Sequence, residues 1–353
     1  MAVALAAVAL VAGCAGRGAQ VPPEPEGFTR GPYLTRVTET TASLRWIAAG
    51  DAPVELTARA GDGEVVQAAG GSFAGLAPDT RYRWSAALDG REAAAGTFVT
   101  APRDLAEPLE FAVFGDYGAP NESSRAVAEL AARERPRLLV TAGDNAYFLA
   151  HPDLLDEQIF GPLRDVLAHA PNYGVVGDHD IVIPAGREAV VEAFDWPGGG
   201  ERYELRYGPV QIVGLGLRAD ADDVAFAERA LARPGPLARF VTVHQPIHAG
   251  NPLLPVIARA DVTAVLAGHL HAYERRERPE APGVPFLTVG TGGAPRSEDH
   301  TPRSPDALVH VAEFGLMRVR LHGTRATYAF VDVAGRVRDR LVSSLSPGRP
   351  PRS

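Results

Sequence analysis

From residue 109 onward, short apolar runs recur along the chain, and five of them lead directly into a polar turn. Their length and their β-branched and aromatic side chains favour buried strands. The five runs are Leu109–Phe114, Leu138–Ala142, Tyr173–Val176, Phe240–Val243 and Thr263–Ala267. Helices are predicted at Glu122–Arg135, Ala185–Phe194 and Asp222–Arg233, and later strands at Met317–Leu321 and Ala326–Val331. This alternation of strands and helices predicts an α/β domain.

The segment before this domain has another pattern. Residues 28–102 contain short alternating stretches, such as Thr41–Ile47 and Thr80–Ala86, separated by Gly, Asp and Pro turns. Such alternation is typical of a β-sandwich. The run Leu76–Tyr82 also resembles the fibronectin type III pattern. We therefore predict a fibronectin III-like sandwich over 28–102 and an α/β domain over 103–342. The sandwich segment has no His, so we expect it to act as a spacer or to shape the edge of a substrate site.

The first residues predict export. Residues 1–13 are almost wholly Ala, Val and Leu, and Cys14 and the Pro-rich stretch Val21–Pro25 follow. This order resembles a bacterial lipoprotein signal with a lipid anchor on Cys14, and the apolar run is too short to span a bilayer. The alternative is a buried N-terminal helix. We predict a signal and tether over 1–27 and an exported protein, either a cell-envelope lipoprotein or secreted, without a transmembrane helix in its mature form.

Composition narrows the choice of partners. The net charge is −8, and no basic run occurs, which argues against nucleic acid as a bulk partner. Cys14 is the only cysteine, so neither an intrachain disulfide nor a cysteine metal site can form. The end of the chain, 343–353, is rich in Pro, Ser and Gly, which predicts a disordered tail.

Metal-ligating side chains follow all five predicted strands. Ligands in open α/β sheets bind at the carboxyl ends of the strands, so these side chains are expected to converge. Carboxylate and imidazole together suit borderline divalent ions and ferric ions. The five segments are Gly115-Asp116-Tyr117-Gly118, Gly143-Asp144-Asn145-Ala146-Tyr147, Gly177-Asp178-His179-Asp180, His244-Gln245-Pro246-Ile247-His248 and Gly268-His269-Leu270-His271.

Together these segments resemble the calcineurin-like metallophosphoesterases and, within them, the purple acid phosphatases. The family pattern is Asp-x-Gly, Gly-Asp-x-x-Tyr, Gly-Asn-His-Glu/Asp, Val-x-x-His and Gly-His-x-His. Gly118 and Tyr147 occur together here, as in the purple subtype. The resemblance implies an αββα sandwich, in which mixed sheets are flanked by helices.

The resemblance also implies a two-metal centre and a role for each ligand. Asp144 would bridge the two ions. Asp116, Tyr147 and His271 would complete the shell of a ferric ion, and Asp178, His244 and His269 that of a divalent zinc, manganese or iron ion. A metal-bound hydroxide would attack phosphorus. His179 and His248 would orient phosphate or protonate the leaving group. For His179 the alternative is a structural hydrogen bond to a ligand, and His248 matches the family by role and not by position.

One position departs from the family. Asp178 stands where the family usually has a neutral Asn, which adds one negative charge. We expect tighter metal binding, weaker attraction for anionic substrates and activity at higher pH than the family name suggests.

Three functions are consistent with the sequence. The first is a phosphomonoesterase of the purple acid phosphatase type acting on small phosphate esters, and the second is a phosphodiesterase or nucleotide pyrophosphatase on the same metal pair. The third is a surface-binding lipoprotein with a vestigial metal site. All seven ligand positions hold competent donors, which argues against the third.

Overall fold

The computed structural model describes residues 25–199, 202–296 and 301–345. The predicted signal, Cys14 and all but the last residues of the predicted tether lie outside this part of the chain. Within the described part, no helix is both long enough and apolar enough to cross a bilayer.

The first seven strands form two facing sheets. One sheet has the order β1-β2-β5 and the other β4-β3-β6-β7. Phe73 of the first sheet and Phe98 of the second stack in the space between them, with ring centroids 6.3 Å apart. The region is therefore a β-sandwich, while its assignment to the fibronectin III class stays a prediction. The strands are β1 Phe28–Val37, β2 Thr41–Ala48, β3 Val54–Arg59, β4 Val65–Gln67, β5 Ser72–Ala74, β6 Arg81–Leu88 and β7 Arg91–Val99.

The second region contains two larger mixed sheets. The six-stranded sheet has the order β10-β9-β8-β18-β19-β20, and the seven-stranded sheet β11-β12-β13-β14-β16-β15-β17. In each sheet the strands that precede predicted ligands run parallel where they are neighbours. The strands are β8 Leu109–Phe114, β9 Leu139–Thr141, β10 Asn172–Gly174, β11 Tyr203–Tyr207, β12 Val210–Gly214, β13 Ala238–Thr242, β14 Ala264–Ala267, β15 Tyr273–Arg276, β16 Phe286–Val289, β17 Val309–Val311, β18 Gly315–His322, β19 Arg325–Asp332 and β20 Val337–Ser344.

Helices cover the outer faces of these sheets. Asn121 caps the first helix, because its side chain accepts a hydrogen bond from the Ser124 amide at 2.8 Å. That helix ends where Arg135 adopts a left-handed conformation. The described helices are α1 Glu122–Glu134, α2 Arg164–Leu167, α3 Pro184–Phe194, α4 Ala221–Leu231 and α5 Leu253–Arg259, with a π-turn at Asp156–Phe160 and 3₁₀ turns at Pro152–Leu154 and Pro197–Gly199.

Side chains that alternate in direction along each strand fill both the space between the two sheets and the space beneath the outer helices. Phe111 of β8 meets Phe240 of β13 edge to face, with centroids 5.2 Å apart, so these side chains fill the space between the sheets. Phe114 of β8 belongs to the cluster that includes α1 and α3, and Val241 of β13 to the cluster that includes α4 and α5. Each strand thus buries both of its faces, as the continuous apolar runs predict.

The sandwich packs against the α/β domain through hydrogen bonds from buried aromatic side chains. Trp84 Nε1 donates to the Ala168 carbonyl just after α2 at 2.8 Å. Tyr33 Oη donates to the Ala193 carbonyl in α3 at 2.6 Å. The sandwich therefore contacts the layer that carries α2 and α3.

The αββα architecture and the elements predicted from the sequence are confirmed, with ends that differ by one or two residues. The prediction of a disordered tail over 343–353 is wrong at its beginning, because β20 runs to Ser344 and Leu345 is buried. The predicted disordered tail therefore begins too early. Ser343 and Ser344 are ordered because they pair with β19, a contact that composition cannot reveal.

Candidate metal centre

The predicted ligands meet where the two sheets adjoin. Asp116, Asp144 and Asp178 lie beyond the carboxyl ends of β8, β9 and β10 in the six-stranded sheet. His244, His269 and His271 follow β13 and β14 in the seven-stranded sheet. Each sheet thus supplies one half of the ligand set, carboxylates from one side and imidazoles from the other.

The backbone at these strand ends is unusual. Asp116, Asp144 and His269 all have positive φ, at 56°, 49° and 70°. Such left-handed conformations are costly for side chains other than Gly and cluster at functional sites. A glycine precedes each of these residues, and a Cβ at Gly143 would overlap the His244 ring. The repeated Gly-Asp and Gly-His pairs therefore permit the close approach of the two sheets.

Tyr147 is the centre of the first ligand group. Its hydroxyl lies 2.7 Å from Asp144 Oδ2, 3.3 Å from Asp116 Oδ1 and 3.2 Å from His271 Nε2. His271 Nε2 is also 3.4 Å from Asp116 Oδ1. Three oxygen donors and one imidazole nitrogen therefore face a common point.

Asp178 is the centre of the second group. Its Oδ1 lies 2.9 Å from His244 Nε2 and 3.0 Å from His269 Nδ1. Asp144 Oδ1 is 3.5 Å from the same His244 nitrogen. Asp144 therefore offers one carboxylate oxygen to each group, which is the geometry of a ligand that bridges two ions.

Backbone carbonyls orient two of the imidazoles. His244 Nδ1 lies 2.8 Å from the Ala142 carbonyl, and His271 Nδ1 lies 2.6 Å from the Pro295 carbonyl. Each carbonyl can accept a proton from Nδ1, which turns Nε2 towards the carboxylates. In both rings Nε2 is therefore the nitrogen that would bind a metal after losing its proton.

The charges at this place favour cations. Burial raises the pKa of Asp144, and the neighbouring Asp116 and Asp178 add to the rise while His244 offsets part of it. Burial also raises the pKa of Tyr147 well above its usual range, as do Asp116 and Asp144. Burial opposes protonation of His244, but Asp144 and Asp178 outweigh it and raise its pKa to about 10. Hard anionic oxygens and imidazoles together fit iron- and zinc-type ions, so the residues present suit a dinuclear centre.

A second layer of polar residues holds the ligand loops, and sequence reasoning assigned it no role. The buried carboxylate of Asp180 accepts hydrogen bonds from the Asn145 amide at 2.9 Å, the Asn145 side chain at 2.7 Å and the Gly177 amide at 2.7 Å. Burial and the nearby Asp144 raise the pKa of Asp180 to about 7. Asn145 directly follows Asp144, and Asp180 lies two residues after Asp178. Their closeness to predicted ligands in the sequence is the feature that could have indicated this supporting role.

The two predicted catalytic histidines differ in their surroundings. The His179 amide donates to Asp144 Oδ1 at 2.8 Å, and its ring lies 4.3 Å from the Tyr147 ring. Its Nδ1 is 2.8 Å from the Phe148 carbonyl. His179 therefore touches the centre, and the structural and catalytic alternatives are both compatible with this position.

His248 lies on the exposed loop after β13. Burial lowers the pKa of His248, and the positive charges of Arg276 and Arg278 lower it further. Arg278 Nη2 and Nε donate to the neighbouring Ile247 carbonyl at 3.0 and 3.2 Å, which anchors this loop. Among the described residues, His248 belongs to no cluster of His and carboxylate side chains that could hold a metal ion, and its catalytic role stays a prediction.

Comparison with known families accounts for this arrangement. Residues 109–273 match the model of the calcineurin-like phosphoesterases, a span that begins at β8 and includes all seven ligands. This part of the chain is therefore similar to a calcineurin-like phosphoesterase domain. This is a domain type of metal-dependent phosphoesterases, which agrees with the ligand set.

Two purple acid phosphatases are among the individual proteins that the chain resembles. Purple acid phosphatase 21 of Arabidopsis thaliana is 26% identical, and the match covers 70% of this chain and 63% of that protein. The chain thus spans less than two thirds of this curated relative. The purple acid phosphatase PPD1 from yellow lupin (Lupinus luteus) seeds superimposes with a TM-score of 0.75 at 15% identity, covering 89% of this chain and 74% of that one. PhoD gives a TM-score of 0.65 at 12% identity, covering 92% of this chain and 90% of that one. At these identities the two structures show a shared fold.

Proposed function

We propose that this protein hydrolyses phosphate monoesters with a dinuclear metal centre, in the manner of a purple acid phosphatase. The observation that carries the proposal is the position of Asp144, whose two oxygens face two separate ligand groups. Ions held by one shared carboxylate lie close enough to act on a single phosphoryl group.

The side chains divide into two sets of ligands. Asp116, Tyr147 and His271 would hold one ion beside Asp144, and the phenolate oxygen of Tyr147 favours ferric iron there. Asp178, His244 and His269 would hold a divalent ion on the other side. Bound in this way, the metals would supply Lewis acidity towards the phosphoryl oxygens and lower the pKa of water.

The remaining residues would position the substrate and the ligands. The His179 ring lies beside Tyr147, at the outer side of the ligand groups, where it can donate a hydrogen bond to a phosphoryl oxygen. Asp180 would keep the loops of Asp144 and Asp178 in register through its hydrogen bonds to Asn145 and Gly177.

The test compares two substrates on the full-length protein after its metal content has been measured. Hydrolysis of p-nitrophenyl phosphate and bis-p-nitrophenyl phosphate is followed between about pH 4 and pH 9, where water on a metal and histidine titrate. We expect a higher kcat/KM for the monoester. The Asp144→Asn variant should lose at least about 100-fold in kcat/KM, more than is usual for a residue behind the ligands. Asp153→Asn, at an exposed site on a neighbouring loop, is the matched control.

Each other outcome has a definite meaning. A preference for the diester would favour a phosphodiesterase or nucleotide pyrophosphatase on the same ligands. Lack of turnover of either ester by protein that holds two metals would refute the hydrolase proposal and favour a binding protein with a vestigial centre.

We also propose that the enzyme works outside the cytoplasmic membrane as a lipoprotein anchored through Cys14. The support is the order of apolar run, cysteine and Pro-rich stretch in the sequence. Fractionation of cells that express the chain and its Cys14→Ser variant would test this, since the variant should leave the membrane fraction.

A further inference from the structure

Three exposed apolar side chains stand beside the candidate metal centre. Phe148 is 47% exposed, Ile181 43% and Val182 54%. Large apolar side chains this exposed are few in the described part of the chain, and these three fall on the two loops that carry Tyr147 and Asp178. Their concentration there points to a role at the substrate site.

Phe148 is held close to the ligands by its own backbone. Its carbonyl is 2.8 Å from His179 Nδ1, and its ring lies 6.3 Å from the His179 ring and 6.1 Å from the Tyr147 ring. Tyr147 and His179 in turn contact Asp144. The Phe148 ring therefore lies beside two residues that themselves contact Asp144.

The loop of Ile181 and Val182 packs against the loop of Phe148. Asp180 binds the Asn145 amide, which joins the beginnings of the two loops. Further along, Gly186 lies so close to the Ala150 carbonyl that a Cβ there would be 2.7 Å from it. The two loops are thus neighbours, and we call the three exposed side chains that they carry, Phe148, Ile181 and Val182, the apolar rim.

The apolar rim has little charge in its immediate sequence. Residues 145–150 and 181–186 contain no Asp, Glu, Lys or Arg. A sugar phosphate or nucleotide would bring hydroxyls or further anionic groups to these three side chains, which offer no hydrogen-bond partner. An apolar group would lose water contact against Phe148, Ile181 and Val182, which is favourable.

We propose that the apolar rim selects phosphate esters with an apolar leaving group, and that Phe148 is its main specificity determinant. This inference rests on the proposed function, because it concerns the group attached to the phosphoryl centre. The phosphate would bind at the metals while the leaving group packs on the apolar rim. Aryl and alkyl leaving groups share this chemistry, and the experiment separates them.

The first measurement is binding, which does not depend on turnover. Calorimetry on the full-length, metal-loaded protein compares phenylphosphonate, butylphosphonate and methylphosphonate, which carry the same anionic head. We expect phenyl- and butylphosphonate to bind about tenfold more tightly than methylphosphonate, as is typical for an added apolar group in a pocket. Phe148→Ala should reduce that advantage to about twofold. Its backbone carbonyl, and hence the contact with His179, would remain.

The second measurement is kcat/KM for phenyl phosphate, butyl phosphate and glycerol phosphate. Phe148→Leu keeps an apolar side chain and should restore the butyl preference more than the phenyl preference. Ile47→Ala is the matched control, because Ile47 is 46% exposed and lies on the sandwich. It should change none of these ratios.

The outcomes of the two proposals can be told apart. If all esters are hydrolysed with equal kcat/KM, or if Phe148→Ala leaves the ratios unchanged, the apolar rim does not select substrate and the inference is overturned. If no ester is hydrolysed but Phe148→Ala still abolishes the preference for phenylphosphonate, the apolar rim is supported and the hydrolase proposal fails.

Discussion

The extra carboxylate of Asp178 predicts opposite changes in metal affinity and phosphate affinity for the Asp178→Asn variant. Asp178 Oδ1 meets His244 Nε2 at 2.9 Å and His269 Nδ1 at 3.0 Å, so it lies beside whatever ion these imidazoles hold. An amide oxygen can occupy the same place without the negative charge. We expect the variant to hold metal less tightly and to bind phosphate more tightly.

The size of the effect follows from distance and exposure. Two unit charges about 4 Å apart interact by about 4 kcal/mol at an effective dielectric constant of roughly 20. A phosphate on the far side of the ions is more distant, and the Asp178 side chain is 39% exposed, so solvent screens it. A discounted value of about 1–2 kcal/mol corresponds to roughly 5- to 30-fold tighter phosphate binding.

The assay is calorimetric titration of phosphate into metal-loaded wild type and variant, with metal content checked by elemental analysis. Metal affinity is measured separately by titrating zinc into metal-stripped protein. The control is Asp153→Asn, which removes the same charge from a side chain that is 87% exposed. We expect the control to change either affinity by less than about twofold.

Two results would refute this reasoning. One is unchanged phosphate affinity in Asp178→Asn protein that still holds two metals per chain. The other is stronger zinc binding by the variant, which would mean that the carboxylate at this position does not favour the cation.

Other variants test the ligand shell and the fold. Tyr147→Phe should remove any visible phenolate-to-iron absorption band from the iron-loaded protein, and a band that persists would exclude Tyr147 as the source. Gly118→Ala should destabilise the protein by more than about 2 kcal/mol in urea unfolding, because φ is +69° and a Cβ would overlap the Asn145 carbonyl. Gly75→Ala, with φ at +73° and open space around it, should lose only about 1 kcal/mol, and equal losses would contradict the overlap argument. Burial lowers the pKa of His169 from 6.5 to about 4, so the unfolded chain binds more protons between these values and stability falls as the pH drops below 6.5. His169→Gln should lessen that fall by about 2 kcal/mol at pH 5, and parallel stability curves for the two proteins would exclude it.

Local sequence was sufficient to predict the strands that carry the ligands. Runs such as Leu109–Phe114 are buried on both faces, so they are continuously apolar and stand out from their surroundings. The polar residue that ends each run is equally visible, and its recurrence after five runs distinguishes these positions from an ordinary Gly-Asp turn. The predicted ligand set could therefore be assembled one segment at a time.

Composition was a poorer guide at the end of the chain. The sequence from Ser343 onward reads as disordered, but β20 extends to Ser344 through its pairing with β19. Strand pairing depends on a partner elsewhere in the chain, and an edge strand such as β20, in which exposed residues alternate with half-buried ones, has little local signal.

The relations among the segments were decided by tertiary structure. Asp144 presents one oxygen to Tyr147 and the other to His244 because the carboxyl ends of strands from both sheets come together at this place. The hydrogen bonds of Asp180 and the exposure of Phe148 beside the ligands depend on two loops that come together only in the folded chain. The sequence by itself thus determined the chemistry of the donors, because donor type is a property of each residue. Three features depend instead on distances between residues that are remote in the sequence, which only packing decides. They are the position of Asp144 between the two ligand groups, the hydrogen bonds of Asp180 to the ligand loops, and the apolar side chains around the centre.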